Sequence, residues 1–270
     1  MRASPTAVRL LGPIGAVRDG QEIHLGPARE RECLAALVLR RGAPALVDQL
    51  IEDLWGAEPP VSAVNVVHTY VSRLRGRLVA AESGDRTLVR SLHPGYAISH
   101  ADIELDIDEF ESDRRTGMAA LWAGHIDQAR DAMRRALERW SSSTALHGAT
   151  GPLASRERQR LAELHLDVLE HFIALRMHGG EHLDTIADLA TLVGEHPFRE
   201  RLWMLFMLAL VIADRRGEAL MAYHDLRRCL QSDLGINPSQ RVQRLFGDLL
   251  SDKPPTEVWD VHFQLTVQHR

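Results

Sequence analysis

The sequence predicts a mainly helical protein with a small β component, divided into a mixed front and a helical-repeat back. Three observations carry this. Short strand-like runs at residues 7–25 and 87–99 bracket three helical patterns. From residue 101 to about 250 the pattern is almost entirely helical, and one set of offsets occurs three times. The charge is also uneven: the 270 residues carry a net −5, yet residues 1–100 hold twelve cations against ten carboxylates and residues 101–252 eighteen against twenty-five. The expected division is 1–100, 101–252 and a tail, 253–270. Hydrophobic residues make up 45% and charged residues 26%, ordinary globular values with enough apolar surface to offset chain entropy.

The front opens with three short strands, Val8–Leu11, Ile14–Val17 and Glu22–Leu25. Asp19-Gly20 joins the last two, a pair that suits a two-residue hairpin turn because both positions need positive φ. Gly26-Pro27 ends the sheet, and Ala28 to Arg40 follows with Leu34, Leu37 and Val38 on one helical face. Val47–Leu54 forms a second helix, stopped by Trp55-Gly56 and Pro59-Pro60. Its expected cap is Asp48, because Leu46 and Val47 have no polar side chain to offer. A third helix starts at Ser62, an N-cap residue type, and runs to about Val79. Thr87–Leu92 and Tyr96–Ser99 then form a hairpin about His93-Pro94-Gly95. Strands, three helices and a closing hairpin make a winged helix-turn-helix.

In the back, Gly124, Ala129, Met133 and Ala136 share offsets with Gly180, Thr185, Leu189 and Leu192, and with Gly217, Ala222, Leu226 and Cys229. They resemble the second half of the tetratricopeptide pattern, where glycine turns the chain and small or apolar residues let paired helices pack closely. Ser141–Gly151 is rich in Ser, Thr and Gly and reads as a loop; Pro152–His178 reads as one extended helix. Arg241–Leu250 after Pro238 supplies a helix that covers the open end of the stack. In the tail, Trp259, Val261, Phe263, Leu265 and Val267 alternate with polar residues, the period of a β-strand, which would add to the N-terminal sheet or to another subunit; a frayed end is the alternative.

Several function classes are excluded or weakened. There is no Gly-rich phosphate loop, His-Glu-x-x-His or Gly-x-Ser-x-Gly, so no enzyme is expected, and no cofactor. His178 and His182 have i, i+4 spacing, but Gly179-Gly180 between them reads as a turn and no third metal ligand is evident. Cys33 and Cys229 lie in apolar helical patterns and read as free thiols. No apolar run is long enough for a signal peptide or membrane span, which points to the cytoplasm.

The chemistry lies in the third helix. Val64, Val67, Val71, Leu74 and Leu78 form a stripe under a third of the circumference wide, expected to face the core. The other side carries Ser62, Asn65, Val66, Thr69, Ser72, Arg73 and Gly76, short polar groups and one long cation, a face that can enter a major groove. Arg73 can reach guanine or phosphate, Asn65 matches adenine's paired donor and acceptor, and Ser72 and Thr69 suit phosphate oxygens. Arg75, near the apolar edge, is expected to snorkel outward, with Arg77 flanking the other side. Arg90 and His93 at the hairpin tip are placed for a flanking phosphate or the minor groove, and Tyr96 either packs beneath or bonds a phosphate, packing being favoured. The rival reading is a repeat scaffold that binds a protein or small ligand, with the winged helix only a docking module.

Leu54-Trp55-Gly56, Pro59-Pro60, Tyr70-Val71-Ser72-Arg73-Leu74-Arg75, Pro94-Gly95-Tyr96 and Asp106–Phe110 resemble the Streptomyces antibiotic regulatory protein family, as do Glu195–Leu202, Gly217, Ala219-Leu220, Tyr223 and Leu234–Pro238. The resemblance covers about residues 7–250. It implies an OmpR-type winged helix joined to a bacterial transcriptional activation domain, acting on direct repeats in double-stranded DNA. It further implies a dimer on DNA, contact with RNA polymerase and its sigma factor, and activation of a biosynthetic gene cluster. The recognition helix then begins at Ser62, and its contacts carry onto Asn65, Ser72, Arg73 and Arg75, with Tyr70 in the same motif. Arg139-Trp140-Ser141-Ser142-Ser143 departs from the family's usual run after the first repeat.

Overall fold

The computed structural model describes residues 5–78, 88–251, 253–254 and 257–259. They form two compact units. The first gathers the chain up to Asp113 with Arg135–Leu166, and the second joins Arg114–Arg134 to the chain from Asp167 onward.

In the first unit, β1 (Thr6–Arg9) pairs antiparallel with β2 (Gly15–Arg18), Val8 opposite Ala16, and β2 pairs with β3 (Gln21–Glu22). Asp19 and Gly20 take φ of 51° and 77°, the left-handed pair such a turn requires. The third strand is shorter than predicted, although the Ile23 N–H still reaches the Ala16 carbonyl at 2.9 Å. An unpredicted strand, β7 (Ile103–Leu105), lies parallel to β1 and completes the order β3-β2-β1-β7. Three residues are too few to show a period of two. Asp106 follows, its carboxylate accepting the N–H groups of Leu10 and Leu11 at 2.8 and 2.9 Å. Burial pushes that carboxyl up to about 6, against the pull of the same N–H groups.

Three helices carry this unit's core: α1 (Ala28–Val38), α2 (Val47–Trp55) and α3 (Ala63–Leu78). Leu34, Leu37, Leu50, Leu54, Val67, Val71 and Leu74 meet there, all buried. The second helix is not shortened to an Asp48 cap: it starts at Val47, and the Gln49 side chain accepts the Leu46 N–H at 3.1 Å. This reach-back from the third helical position satisfies the backbone N–H of the N-cap residue itself. A second sheet, β4-β6-β5, contains the hairpin of β5 (Val89–Leu92) and β6 (Gly95–Ile98), with two-residue β4 (Ala45–Leu46) on its edge.

The beginning of α4 (Asp106–Trp122), the end of α5 (Ile126–Glu138) and the first half of α6 (Pro152–His178) also belong to this unit. The segment read as a loop, 141–151, is built into it. Ser141 N–H donates to the Leu11 carbonyl, Leu146 N–H to Leu10 and His147 N–H to Gly12, at 2.7–2.9 Å. Arg158 donates to the carbonyls of Ala145, Leu146 and Ala149. Trp140, from the departing run, meets Phe110 in a T-shaped pair at 5.6 Å and stacks on His165 at 4.2 Å.

In the second unit, α7 (His182–Glu195) packs on α8 (Glu200–Ile212), α8 on α9 (Arg216–Leu234), and α10 (Gln240–Leu250) on both α8 and α9. The centre is α8, which buries Leu202, Trp203, Met204, Leu205, Met207, Leu208, Ala209 and Leu210; a helix apolar on all sides belongs in a core. Closure by α10 is as expected, with Val242, Leu245 and Leu249 turned in.

The third repeat needs a correction of register. Gly124 and Gly180 are left-handed turn residues, φ 77° and 91°, but the matching residue is Asp214 (φ 60°), and Gly217 lies inside α9. The backbone settles this: His125 N–H reaches Ala120, Glu181 reaches Arg176 and Arg215 reaches Leu210, the same six-residue helix-end bond each time. The core positions are therefore Ala219, Tyr223 and Leu226, and Cys229 is half exposed. A slip of three residues is close to one helical turn and keeps nearly the same face, which is why the pattern concealed it.

Cys33 and Cys229 are free thiols, and burial pushes Cys33 up to about 12. Residues 257–259, where the alternating tail begins, are helical, with Val258 and Trp259 buried. The rest of the predicted strand lies outside the described residues. Among the described residues no helix is long and apolar enough to cross a membrane, and no three His, Cys, Asp or Glu side chains group to hold a metal.

Candidate nucleic-acid interface

Helix α3 exists because its inward row is apolar: Val67, Val71, Leu74 and Leu78 are buried against the neighbouring helices. Ala63, not Val64, starts that row. Val64 is 46% exposed and instead lines a groove of about 380 Å³ shared with Leu46, His68, Ser91, His93 and Tyr96. The sequence placed Val64 in the core because it sits near the stripe's edge, where the partner surface and not the period decides.

The outward row is Ser62, Asn65, His68, Thr69, Ser72, Arg73 and Gly76, all exposed. Ser62 stands at the N-cap position, its carbonyl accepting Val66 N–H at 3.0 Å; its hydroxyl has no hydrogen-bond partner among the described residues. Thr69 donates its hydroxyl to the Asn65 backbone carbonyl at 2.8 Å, and the Asn65 side-chain amide has no hydrogen-bond partner among the described residues. Tyr70, half-buried, stacks its ring on Trp55 of α2 at 6.3 Å.

The three arginines separate into two roles. Arg73 is 56% exposed, yet its Nη1 donates to Glu30 Oε1 at 2.7 Å. Arg77 reaches the other oxygen of Glu30 and donates to the Leu25 carbonyl at 2.7 Å. Arg75 does not snorkel outward: Nε donates to the Val89 carbonyl at 2.9 Å, Nη2 to Ser91 Oγ at 2.7 Å, and its guanidinium lies 5.3 Å from the centre of the Tyr96 ring. It ties the helix to the hairpin, because β5 offers a carbonyl within reach that the sequence could not reveal. Tyr96 is buried beneath, its hydroxyl 2.5 Å from His68 Nδ1. The hairpin keeps Arg90 and His93 exposed.

Two carboxylates escaped the sequence reading. Glu30 is 1% exposed and Glu32 3%. Burial pushes the Glu30 carboxyl up, but the hydrogen bonds and charges of Arg73 and Arg77 outweigh it and hold the group below its usual range. The available signal was Glu30's place one helical turn before Leu34 and two before Leu37, in the apolar row of α1, facing an arginine-rich helix.

Comparison with known proteins identifies the two parts of the chain. Residues 20–98 match the family "Transcriptional regulatory protein, C terminal", and residues 105–250 match "Bacterial transcriptional activator domain". The chain is 39% identical over 246 residues to the regulatory protein AfsR of Streptomyces coelicolor, covering 91% of this chain and 24% of AfsR. Thus it spans about a quarter of that relative's length. It is 30% identical to the regulatory protein DnrI of Streptomyces peucetius, covering 92% of this chain and 93% of DnrI. A solved structure of Mycobacterium tuberculosis EmbR, in complex with a low-affinity phosphopeptide, superposes with a TM-score of 0.83 at 29% identity, covering 96% of this chain and 69% of that one.

Proposed function

The chain belongs to the Streptomyces antibiotic regulatory protein family, and from that membership we propose that it is a sequence-specific DNA-binding transcriptional activator of a secondary-metabolite biosynthetic gene cluster. Residues 1–100 read direct repeats near a promoter, as a homodimer on the DNA. Residues 101–252 engage RNA polymerase and its sigma factor. The protein works in the cytoplasm at the nucleoid, catalyses no reaction and needs no cofactor. The observation that carries this reading is the outward row of α3, where Asn65, Ser72 and Arg73 stand exposed while Arg75 binds the same helix to a hairpin with Arg90 and His93 at its surface. Short polar groups, an imidazole and a forked cation suit the floor of a major groove; the hairpin residues suit flanking phosphates.

Asn65 gives the cleanest test, because its side chain has no hydrogen-bond partner among the described residues. Asn65→Ala is expected to weaken operator binding by about 1 to 3 kcal/mol, roughly 5- to 150-fold, and to relax preference at one position of each repeat, with an unchanged thermal melt. Arg73→Ala is less clean, since it also strips a partner from buried Glu30. Binding of the unaltered chain should fall steeply with salt, with a log–log slope of about −0.9 per phosphate contact. A salt-insensitive complex, with Asn65→Ala indistinguishable from the parent, would favour the scaffold reading.

A further inference from the structure

Glu30 is buried on α1, yet both of its oxygens are spent on α3. One takes Arg73 Nη1 at 2.7 Å and the other takes Arg77. Its carboxylate is 1% exposed, while the Arg73 side chain is 56% exposed. Arg73 therefore leans on a rigid internal anchor and has no other partner among the described residues, which leaves Nε and Nη2 unengaged. Those two donors form one edge of the guanidinium fork, the edge able to pair bidentately with guanine O6 and N7. An arginine unrestrained on a helix surface loses rotamer freedom when it docks; one clamped through Nη1 has lost it already. The surrounding backbone protects the clamp. Gly26 sits at φ +86°, and a Cβ there would run into the Arg77 guanidinium and the Glu30 carboxylate.

We propose that Glu30 is a positioning residue for sequence readout: it fixes the plane of the Arg73 guanidinium and partly neutralises its charge, so that Arg73 reads a base edge instead of binding any nearby phosphate. This rests on the reading of α3 as a recognition helix. It also has a signature that a merely structural residue lacks. Loss of a structural residue weakens binding to every duplex alike. Loss of this carboxylate frees a full positive charge, so binding to the operator and to unrelated DNA should move apart.

The test compares the full chain with Glu30→Gln and Glu30→Asp, each measured against the operator duplex and an unrelated duplex of equal length across a salt series, alongside thermal melts. Glutamine keeps the size and removes the charge; aspartate keeps the buried charge but withdraws it from Arg73. The expected result for Glu30→Gln is an operator affinity lower by about tenfold with affinity for unrelated DNA equal or higher. Its log–log salt slope should steepen by up to about 0.9 as Arg73 takes a phosphate. Glu30→Asp should lose discrimination in the same direction, and adding Glu30→Gln to Arg73→Ala should remove no further discrimination. Equal losses on both duplexes, or full discrimination in either variant, would overturn the assignment. If Asn65→Ala and Arg73→Ala both leave operator binding intact, the recognition-helix reading itself fails; if they lose binding while both Glu30 variants keep discrimination, only the role of Glu30 falls.

Discussion

Phe110→Ala is expected to lower the unfolding free energy of the first unit by about 4 kcal/mol, the range for emptying a fully buried aromatic site. The Phe110 ring is fully buried. It meets Trp140 in a T-shaped pair, and Trp140 in turn stacks on His165, so one side chain of α4 supports a column that joins the end of α5 to α6. Edge-to-face and stacked pairs contribute beyond the area they bury, on the order of 1 kcal/mol each. Urea unfolding reads the effect as a lower midpoint at unchanged slope. Phe110→Leu, which refills most of the space, should recover more than half of the loss. A change below about 1 kcal/mol for alanine would show that the site collapses freely and that the column is not what secures the segment.

Glu32→Ala should cost about 3 kcal/mol by the same measurement. This carboxylate accepts the N–H groups of Thr150 and Gly151 just before α6 begins at Pro152, and it pairs with Arg29 at 2.9 Å. It therefore stands at the positive end of a 27-residue helix, where a negative charge is favoured. Alanine leaves the buried Gly151 N–H without an acceptor, and that desolvation is the larger part of the cost. Glu32→Gln keeps an acceptor oxygen and should lose about half as much. Equal losses for both would mean that the charge, and not the hydrogen bond, secures the loop.

The two buried glutamates explain where sequence reasoning stops. Leu34, Leu37 and Val38 announce α1 by their spacing, and the apolar rows of α2 and α3 do the same, because a helix must bury one face whatever it meets. Pro152–His178 is legible from end to end, since proline is favoured at a first helical turn and glycine just past a last one. Asp19-Gly20 and the hairpin about His93-Pro94 are equally local, set by backbone dihedrals. What escapes is whatever depends on the partner across a gap. Two- and three-residue strands such as β4 and β7 carry too few residues for a period. The third repeat's turn falls at Asp214 because a residue other than glycine can adopt a left-handed angle at a modest energetic cost. Within the interface the exposed polar row was legible, Asn65 through Gly76, whereas the binding of Arg75 to β5 and of Arg73 and Arg77 to Glu30 was not. Spacing says which side of a helix a residue is on; it does not say which carbonyl or carboxylate lies within reach.

The central claim is that the outward row of α3 lies against the duplex, and targeted strand cleavage tests it most directly. With Cys229 replaced by serine and Cys33 buried, a single new cysteine at Ser72 can carry a metal-chelate cleavage reagent. A matched chain with no new cysteine is treated with the same reagent. The expected result is strand cuts confined to a few base pairs within each repeat of the operator for the label at position 72, and none above background for the matched chain. Absent cutting from position 72, or equal cutting by both chains, would contradict it.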